Sequence, residues 1–345
     1  KAFLRIYKDN HVYPYESQIS TALKTLLQEA PMVGFVTGHK ERSGMDMGEK
    51  GYGTFASNKT FRYSLENSGY GVREISLEHP VAEDINIIVL ADMRSDFTEE
   101  EFRNFDAYLE RGGNLFILGE PKRQQFMNPV IERLGLRFAD GIIVSPSEVN
   151  LDDLVAANIK EGAAKVSENY IRYFRSGYSI MTPSACAVEV IDSTKGFEIT
   201  EVLASAGKGS WVEKETTDFI NEKSVLNPAV GEVEKSNSIM LYLTRPVNNK
   251  EQRIFVIGDA DCISTLELSQ NRPGFRSSNF TLITETFRNL SYGEFPVEAS
   301  RVNPPDDRVL VTRNVIFGIR VVLMWIIPLL FVTGCITLLI RRKRR

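Results

Sequence analysis

Three short stretches of this chain place polar side chains directly after apolar runs, where an open α/β sheet presents its ligand-binding edge. Thr37-Gly38-His39-Lys40-Glu41-Arg42 closes the run that begins at Met32. Ala91-Asp92-Met93-Arg94-Ser95-Asp96 closes the run from Ile85, and Asp259-Ala260-Asp261 follows the run from Arg253 to Gly258. Arginines could hold an anion, paired aspartates a cation, and a histidine next to a glutamate could move a proton. Thr37, Gly38, His39, Glu41, Arg42, Asp92, Arg94, Asp259 and Asp261 are therefore the candidate binding residues, converging on one crevice. The competing reading is that these loop charges cap helix ends and pair with one another.

Each enzymatic reading lacks a part. A hydrolase of the class I glutamine amidotransferase type needs a cysteine or serine on the turn after a central strand, but Leu118 leads into Gly119-Glu120-Pro121. His39-Lys40-Glu41 has the H-x-E spacing of zinc deaminases without the P-C-x-x-C that completes their metal site. His11, His39 and His79 leave little for a histidine-based zinc site. Asp259-x-Asp261 resembles the nucleophile loop of haloacid-dehalogenase-like phosphatases, yet only one helix and a linker follow it. Gly34-x-x-x-Gly38 has no Gly-Lys-Ser/Thr after it and makes no phosphate loop. The sequence therefore predicts a binding crevice with no catalytic residue, no metal site and no cofactor.

The elements that must carry these loops read as alternating strands and helices. Strands are expected at Met32 to Thr37, Val72 to Leu77, Ile85 to Ala91 and Leu115 to Leu118, and Ile85 to Ala91 has the continuous apolar character of a strand covered on both faces. A helix is expected from Thr54 to Asn67, closed by Gly69. Thr98-Glu99-Glu100-Glu101 is a capping box, followed by Phe102, Phe105 and Leu109 at helical spacing and by Gly112-Gly113. Another helix is expected from Lys122 to Leu134, and a last one from Asn279 to Leu290. Between 144 and 250, β-branched runs (Ala187 to Ile191, Ser238 to Thr244) and the polar stretch Glu213 to Lys235 suggest an inserted β-rich subdomain. The fold class expected is α/β, a doubly wound, mostly parallel sheet of amidotransferase or flavodoxin-like type. The expected division is an N-terminal linker or helix (1–30), the α/β domain (31–143 and 251–295) interrupted by the insert (144–250), a linker (296–314), a transmembrane helix (315–340) and a basic tail (341–345).

The C-terminal end sets the expected location. Val321 to Ile340 holds no charge, and Arg341-Arg342-Lys343-Arg344-Arg345 follows at once. Twenty apolar residues rise roughly 30 Å as a helix, one hydrocarbon thickness. The basic cluster, against Arg308, Arg313 and Arg320 offset by Asp306 and Asp307, places the tail in the cytoplasm and the rest of the chain outside. The opening KAFLRIYKDN has no signal-peptide pattern, so a missing upstream segment is expected to export it. The chain carries 41 basic and 45 acidic residues, and without the five basic tail residues it stands at 36 against 45. That acidity argues against nucleic acid and anionic lipid surfaces as partners. Cys186 and Cys262 could form one disulfide or remain free thiols.

Five stretches, in order, resemble the Gldg family, the extracytoplasmic auxiliary components of ABC transporters named for gliding-motility proteins of Bacteroidetes. They are VGFVTGH with Glu41-Arg42, IIVLAD with Arg94 and FTEEEF, YLERGGNLFILGEP, SAGKGSWVE around Trp211, and RIFVIGDAD ahead of the terminal helix. Two positions depart from the pattern: Lys40, where glycine is expected, and Cys262, where an aromatic residue is more usual. The resemblance implies a catalytically silent domain in a bacterial inner membrane, facing the periplasm. It also implies a partner permease and cytoplasmic ATPase, with homo- or hetero-oligomeric assembly. The alternatives are a membrane-anchored, metal-dependent hydrolase using Asp259 and Asp261 with His39 as base, and an envelope scaffold without a ligand.

Overall fold

The computed structural model describes residues 4, 6, 13–298 and 313–344, and only the backbone at Phe174, Arg313 and Asn314. His11, most of the expected linker (299–312, with Pro304, Pro305, Asp306, Asp307 and Arg308) and Arg345 lie outside the described residues. Contacts divide the chain into two units, Lys1–Ala299 and Ser300–Arg345.

In the first unit, thirteen strands are described: β1 Met32–Val36, β2 Gly71–Ile75, β3 Ile85–Ala91, β4 Asn114–Leu118, β5 Leu136–Phe138, β6 Ile142–Val144, β7 Leu154–Ile159, β8 Ile180–Pro183, β9 Val188–Val190, β10 Glu198–Ala204, β11 Trp211–Glu213, β12 Ser238–Val247 and β13 Lys250–Ile257. Nine of them form one mixed sheet in the order β2-β1-β3-β4-β13-β12-β10-β7-β8. The first five run parallel, and the rest pair antiparallel. The segment 144–250 therefore feeds four strands into the same sheet, with β5-β9 and β6-β11 as small separate pairs. The change of direction is made at Asn248-Asn249, both at positive φ (49° and 62°), the backbone of a two-residue hairpin whose twist suits the strands it joins.

Period-two alternation sends the side chains of the parallel strands to two cores. Val33, Phe35, Ile87, Val89, Phe116, Phe255 and Ile257 enter one, and Ile88, Leu90, Leu115, Ile117, Ile254 and Val256 the other. Seven α-helices are described in this unit, α1 Glu16–Leu27, α2 Gly53–Ala56, α3 Glu99–Glu110, α4 Gln124–Ile131, α5 Glu168–Arg175, α6 Thr265–Ser269 and α7 Asn279–Leu290, and the second unit opens with α8 Arg313–Val321. α3 and α4 cover one face with Phe105, Leu109, Met127, Val130 and Ile131, while Phe55 of α2 and Phe287 and Leu290 of α7 fill the other.

The capping box of α3 is formed as the sequence predicts. Thr98 Oγ1 accepts from the Glu101 amide at 3.3 Å, and Glu101 Oε2 accepts from the Thr98 amide at 2.7 Å. The helix expected from Thr54 to Asn67 is a correction: it stops after α2, and a single 3₁₀ turn at Glu66–Ser68 precedes Gly69. Asn58 explains the break, since its Oδ1 accepts from the Thr60 amide at 2.9 Å and the Phe61 amide at 3.3 Å, an alternative to helical bonding. The Lys122–Leu134 helix shortens to α4 with a 3₁₀ turn at Glu132–Leu134.

In the second unit, α8 runs into a π-helical turn, Val322–Ile326, and then α9, Ile327–Lys343. Pro328 accounts for the turn, because it lacks an amide proton and its ring crowds the carbonyl four residues back. The segment Val315–Lys343 is 29 residues long and contains an 18-residue window of mean hydropathy 2.6, none of it buried, long and apolar enough to cross a membrane.

Candidate functional site

The carboxyl ends of β1, β3, β4 and β13 are laced together by their own main chain. The Arg42 amide donates to Ala91 O at 3.1 Å and the Arg94 amide to His39 O at 2.9 Å, joining the β1 and β3 loops. The Asp92 amide donates to Leu118 O at 3.0 Å, and the Gly119 amide to Ile257 O at 2.8 Å, which adds β4 and β13. In this strand order the chain departs from β1 in opposite directions, to β2 on one side and β3 on the other, and the loops open where such sheets leave a crevice. Three of these loops hold a non-glycine residue at positive φ: Lys40 (59°), Asp92 (52°) and Lys122 (65°).

Arg42 fills the crevice. It is 6% exposed, and its guanidinium reaches carboxylates from three other loops: Asp92 at 3.3 Å, Glu120 at 3.2 Å and Asp261 at 2.5 Å. It also donates to Ala260 O at 3.1 Å, the carbonyl that accepts the Tyr52 hydroxyl at 2.7 Å. Burial works against the charged guanidinium, but Tyr52, Glu120 and Asp261 together outweigh it and raise its pKa further. Asp92, fully buried, is shared by two more arginines, Arg94 Nη2 at 2.6 Å and Arg123 Nε at 3.3 Å. Lys50 approaches the other oxygen of Asp261 at 3.5 Å.

The remaining carboxyls sit differently. Burial, reinforced by Asp261, pushes the Glu120 carboxyl up to about 7. Asp259 is fully buried, and burial together with Glu120 and Asp261 drives its pKa well above the carboxylate range. Its Oδ1 accepts from the Asp261 and Cys262 amides at 2.6 and 3.1 Å, while Oδ2 has no hydrogen-bond partner among the protein atoms. The cluster thus sets Arg42, Lys50, Arg94 and Arg123 beside Asp92, Asp261 and Glu120.

His39 lies in a second cluster beside the first. Its Nδ1 is 3.4 Å from Glu41 Oε1, its Nε2 3.4 Å from Glu101 Oε2, and its ring packs edge-on to Phe97. Glu41 Oε2 is held by the His39 amide at 2.6 Å. Thr37 and Gly38 serve the backbone: the Thr37 amide donates to Ile75 O at 2.9 Å, and Gly38 turns at φ 135°. The structure thus gathers Arg42, Asp92, Arg94 and Asp261 around one point, with Asp259 adjoining and His39 and Glu41 apart.

Sequence reading missed Glu120, Arg123, Lys50 and Tyr52. Glu120 and Arg123 follow β4 in a turn without a nucleophile, and nothing local marks them as partners of Arg42 and Asp92. Lys50 and Tyr52 come from the glycine-rich loop, where no periodic pattern points inward. Among the described residues no three His, Cys, Asp or Glu side chains are grouped to hold a metal ion. Cys186 and Cys262 are free and buried, donating to Gly258 O and Asp259 O at 3.2 Å, and burial raises both thiols.

No curated protein matches this chain. Among solved structures, the N-terminal domain of mmIFT52 is 14% identical with a TM-score of 0.49, the superposition covering 79% of this chain and 100% of that one. A ThuA-like protein from Parabacteroides merdae is 11% identical with a TM-score of 0.38, covering 72% and 95%. The exo-β-1,4-mannosidase Op5Man5 from Opitutaceae bacterium strain TAV5 is 11% identical with a TM-score of 0.35, covering 80% and 38%. Residues 30–177 match a family model described as an ABC-type uncharacterized transport system. Over the stretch that supplies β1, β3, β4 and the arginine cluster, this chain is therefore similar to the auxiliary components of ABC-type transport.

Proposed function

We propose that this chain is a non-catalytic, extracytoplasmic auxiliary subunit of an ABC transporter, of the Gldg type, held to the inner membrane by its C-terminal helix. In this reading it engages a substrate or a periplasmic partner at the carboxyl ends of β1, β3, β4 and β13. The observation that carries the reading is the family match over residues 30–177, because it falls on the strands whose loops meet at Arg42. The parallel order β2-β1-β3-β4-β13 is the one a flavodoxin-like ancestry would leave, and the turn after β4, where a hydrolase would need a nucleophile, carries Glu120 paired to Arg42. The exposed apolar helix with its basic end supports the anchor. A permease and an ATPase would be its working partners, in separate subunits or with the permease fused upstream. The division into an α/β domain, a β-rich excursion at 144–250 and a linker to the membrane is kept as part of this proposal.

Labelling of single introduced cysteines with a membrane-impermeant maleimide tests the topology. Lys250→Cys should react in intact inner-membrane-exposed spheroplasts, and a cysteine replacing Arg344 should react only after permeabilisation. The reverse pattern would overturn the extracytoplasmic assignment.

A further inference from the structure

The mouth of the crevice presents several cationic side chains, beside Asp96 and Glu49 exposed on the same loops. Asp92 is a single buried carboxylate that holds three guanidinium groups, Arg42, Arg94 and Arg123. Arg42 is fully occupied below, by Glu120, Asp261 and Ala260 O. The Arg94 and Arg123 side chains, 39% and 32% exposed, converge on Asp92 from the solvent side. Lys50, 62% exposed, sits over Asp261, and Lys40 and Lys122 are exposed on the same loops. This cationic rim belongs to a unit that is acidic as a whole.

The backbone supplies an independent observation. Lys40, Asp92 and Lys122, one on each of three adjoining strand-end loops, adopt positive φ. Such conformations are strained for side-chain-bearing residues and concentrate where a surrounding structure fixes groups for a ligand. Buried Asp92 restricts Arg94 and Arg123 before any ligand arrives, and guanidinium pairs arranged in this way suit the two or three oxygens of an oxyanion.

We propose that Arg94 and Arg123, oriented by Asp92, form a binding site for an oxyanion, a phosphate or carboxylate group carried by the domain's ligand or displayed by a partner protein. Arg42 is a positioning residue, fixing Asp92 from below. The proposal rests on the strand-end loops being the binding face, as in the reading above.

The test uses the full chain in nanodiscs of neutral lipid, with thermal unfolding followed as sodium phosphate or sodium acetate replaces sodium chloride at constant ionic strength. A site-bound anion stabilises the folded chain in proportion to its concentration over its dissociation constant. Wild-type protein should gain stability with at least one of the two anions, with half-saturation at about 1 mM, an affinity in the range expected of a small charged group. Arg94→Gln/Arg123→Gln should weaken that binding at least tenfold, Arg94→Lys/Arg123→Lys should retain part of it, and Lys250→Gln, at the opposite end of β13, should leave it unchanged. If the double Gln variant fails to fold, Arg123→Gln alone serves, because Asp92 then keeps Arg42 and Arg94. Response to the free anions marks a small-molecule ligand. A response seen only with an aspartate- and glutamate-rich peptide, and lost in the Gln variant, marks the partner-protein source. No response to phosphate, acetate or that peptide, or a response that survives in the Gln variant, overturns the proposal. Transporter components that co-purify while anion binding is absent would sink this inference and leave the transport reading standing.

Discussion

Arg42 decides what this crevice is. A buried guanidinium surrounded by carboxylates from three loops is costly to desolvate, and removing it strands those carboxylates in a poorly solvated site. Arg42→Met should destabilise the chain by about 3–5 kcal/mol, measured as a shift in urea denaturation, with Arg42→Lys recovering only part because an ammonium cannot fork to three partners. A loss below about 1 kcal/mol, the range of exposed pairs, would mean that the network is not the organising feature. Glu120 gives a pH signature. Its folded pKa is raised to about 7 from the ordinary glutamate value of 4.5, so the folded chain binds a proton that the unfolded chain has released between these values. Stability is therefore fully present below pH 4.5 as far as this group is concerned and is lost as pH rises towards 7, and buried Asp259 acts in the same direction. We expect thermal stability to fall by an amount on the order of 1–3 kcal/mol between pH 5 and pH 8, and Glu120→Gln to flatten that slope. A rise across the same window would contradict the assignment. The arginines and aspartates of the β1, β3 and β13 loops were legible in the sequence because they directly follow unmistakable apolar runs. Glu120 and Arg123 follow an equally clear run, but their partners are separated from them by dozens of residues, and pairing over that distance leaves no local pattern.

At the scale of elements, the sequence spoke most clearly where two independent signals agreed. Thr98 to Glu110 has a capping box and apolar periodicity, and α3 forms over Glu99–Glu110. The stretch after Thr54 had periodicity alone, and Asn58 diverted its backbone into a turn. The β1 loop shows the converse. Lys40 stands where the resemblance leads one to expect glycine, yet its φ of 59° keeps the glycine-like turn. Lys40→Gly removes the Cβ penalty of that conformation but frees the unfolded chain, so the two effects oppose each other. The left-handed cost of roughly 1–2 kcal/mol exceeds the entropic one of about 0.4–1 kcal/mol, and the variant should be more stable by about 0.5–1 kcal/mol in the same denaturation assay. Destabilisation would show that the lysine side chain makes a contact worth more than the strain.

Across the whole molecule, composition and periodicity disclosed an α/β unit and a membrane-length helix but did not disclose that nine strands share one sheet. The segment 144–250 looked like an insertion because its strands alternate in an antiparallel manner, and antiparallel pairing reads as a separate β-rich body. The turn at Asn248-Asn249 joins it edge-on to β13, so that β12 continues a sheet whose first five strands are parallel. One sheet therefore runs from the crevice side through to β8, and α5 and α7 bury Tyr170 and Phe287 against the same core. A domain built in this way presents its strand-end loops as a rigid face, suited to holding a partner in register. The most direct test of the central claim is gentle detergent extraction of the full-length protein from its native membranes, affinity purification, and quantitative mass spectrometry of what accompanies it. The account predicts a permease and an ATPase in near-stoichiometric amounts; a chain recovered alone, from membranes in which other ABC transporters stay intact, would contradict it.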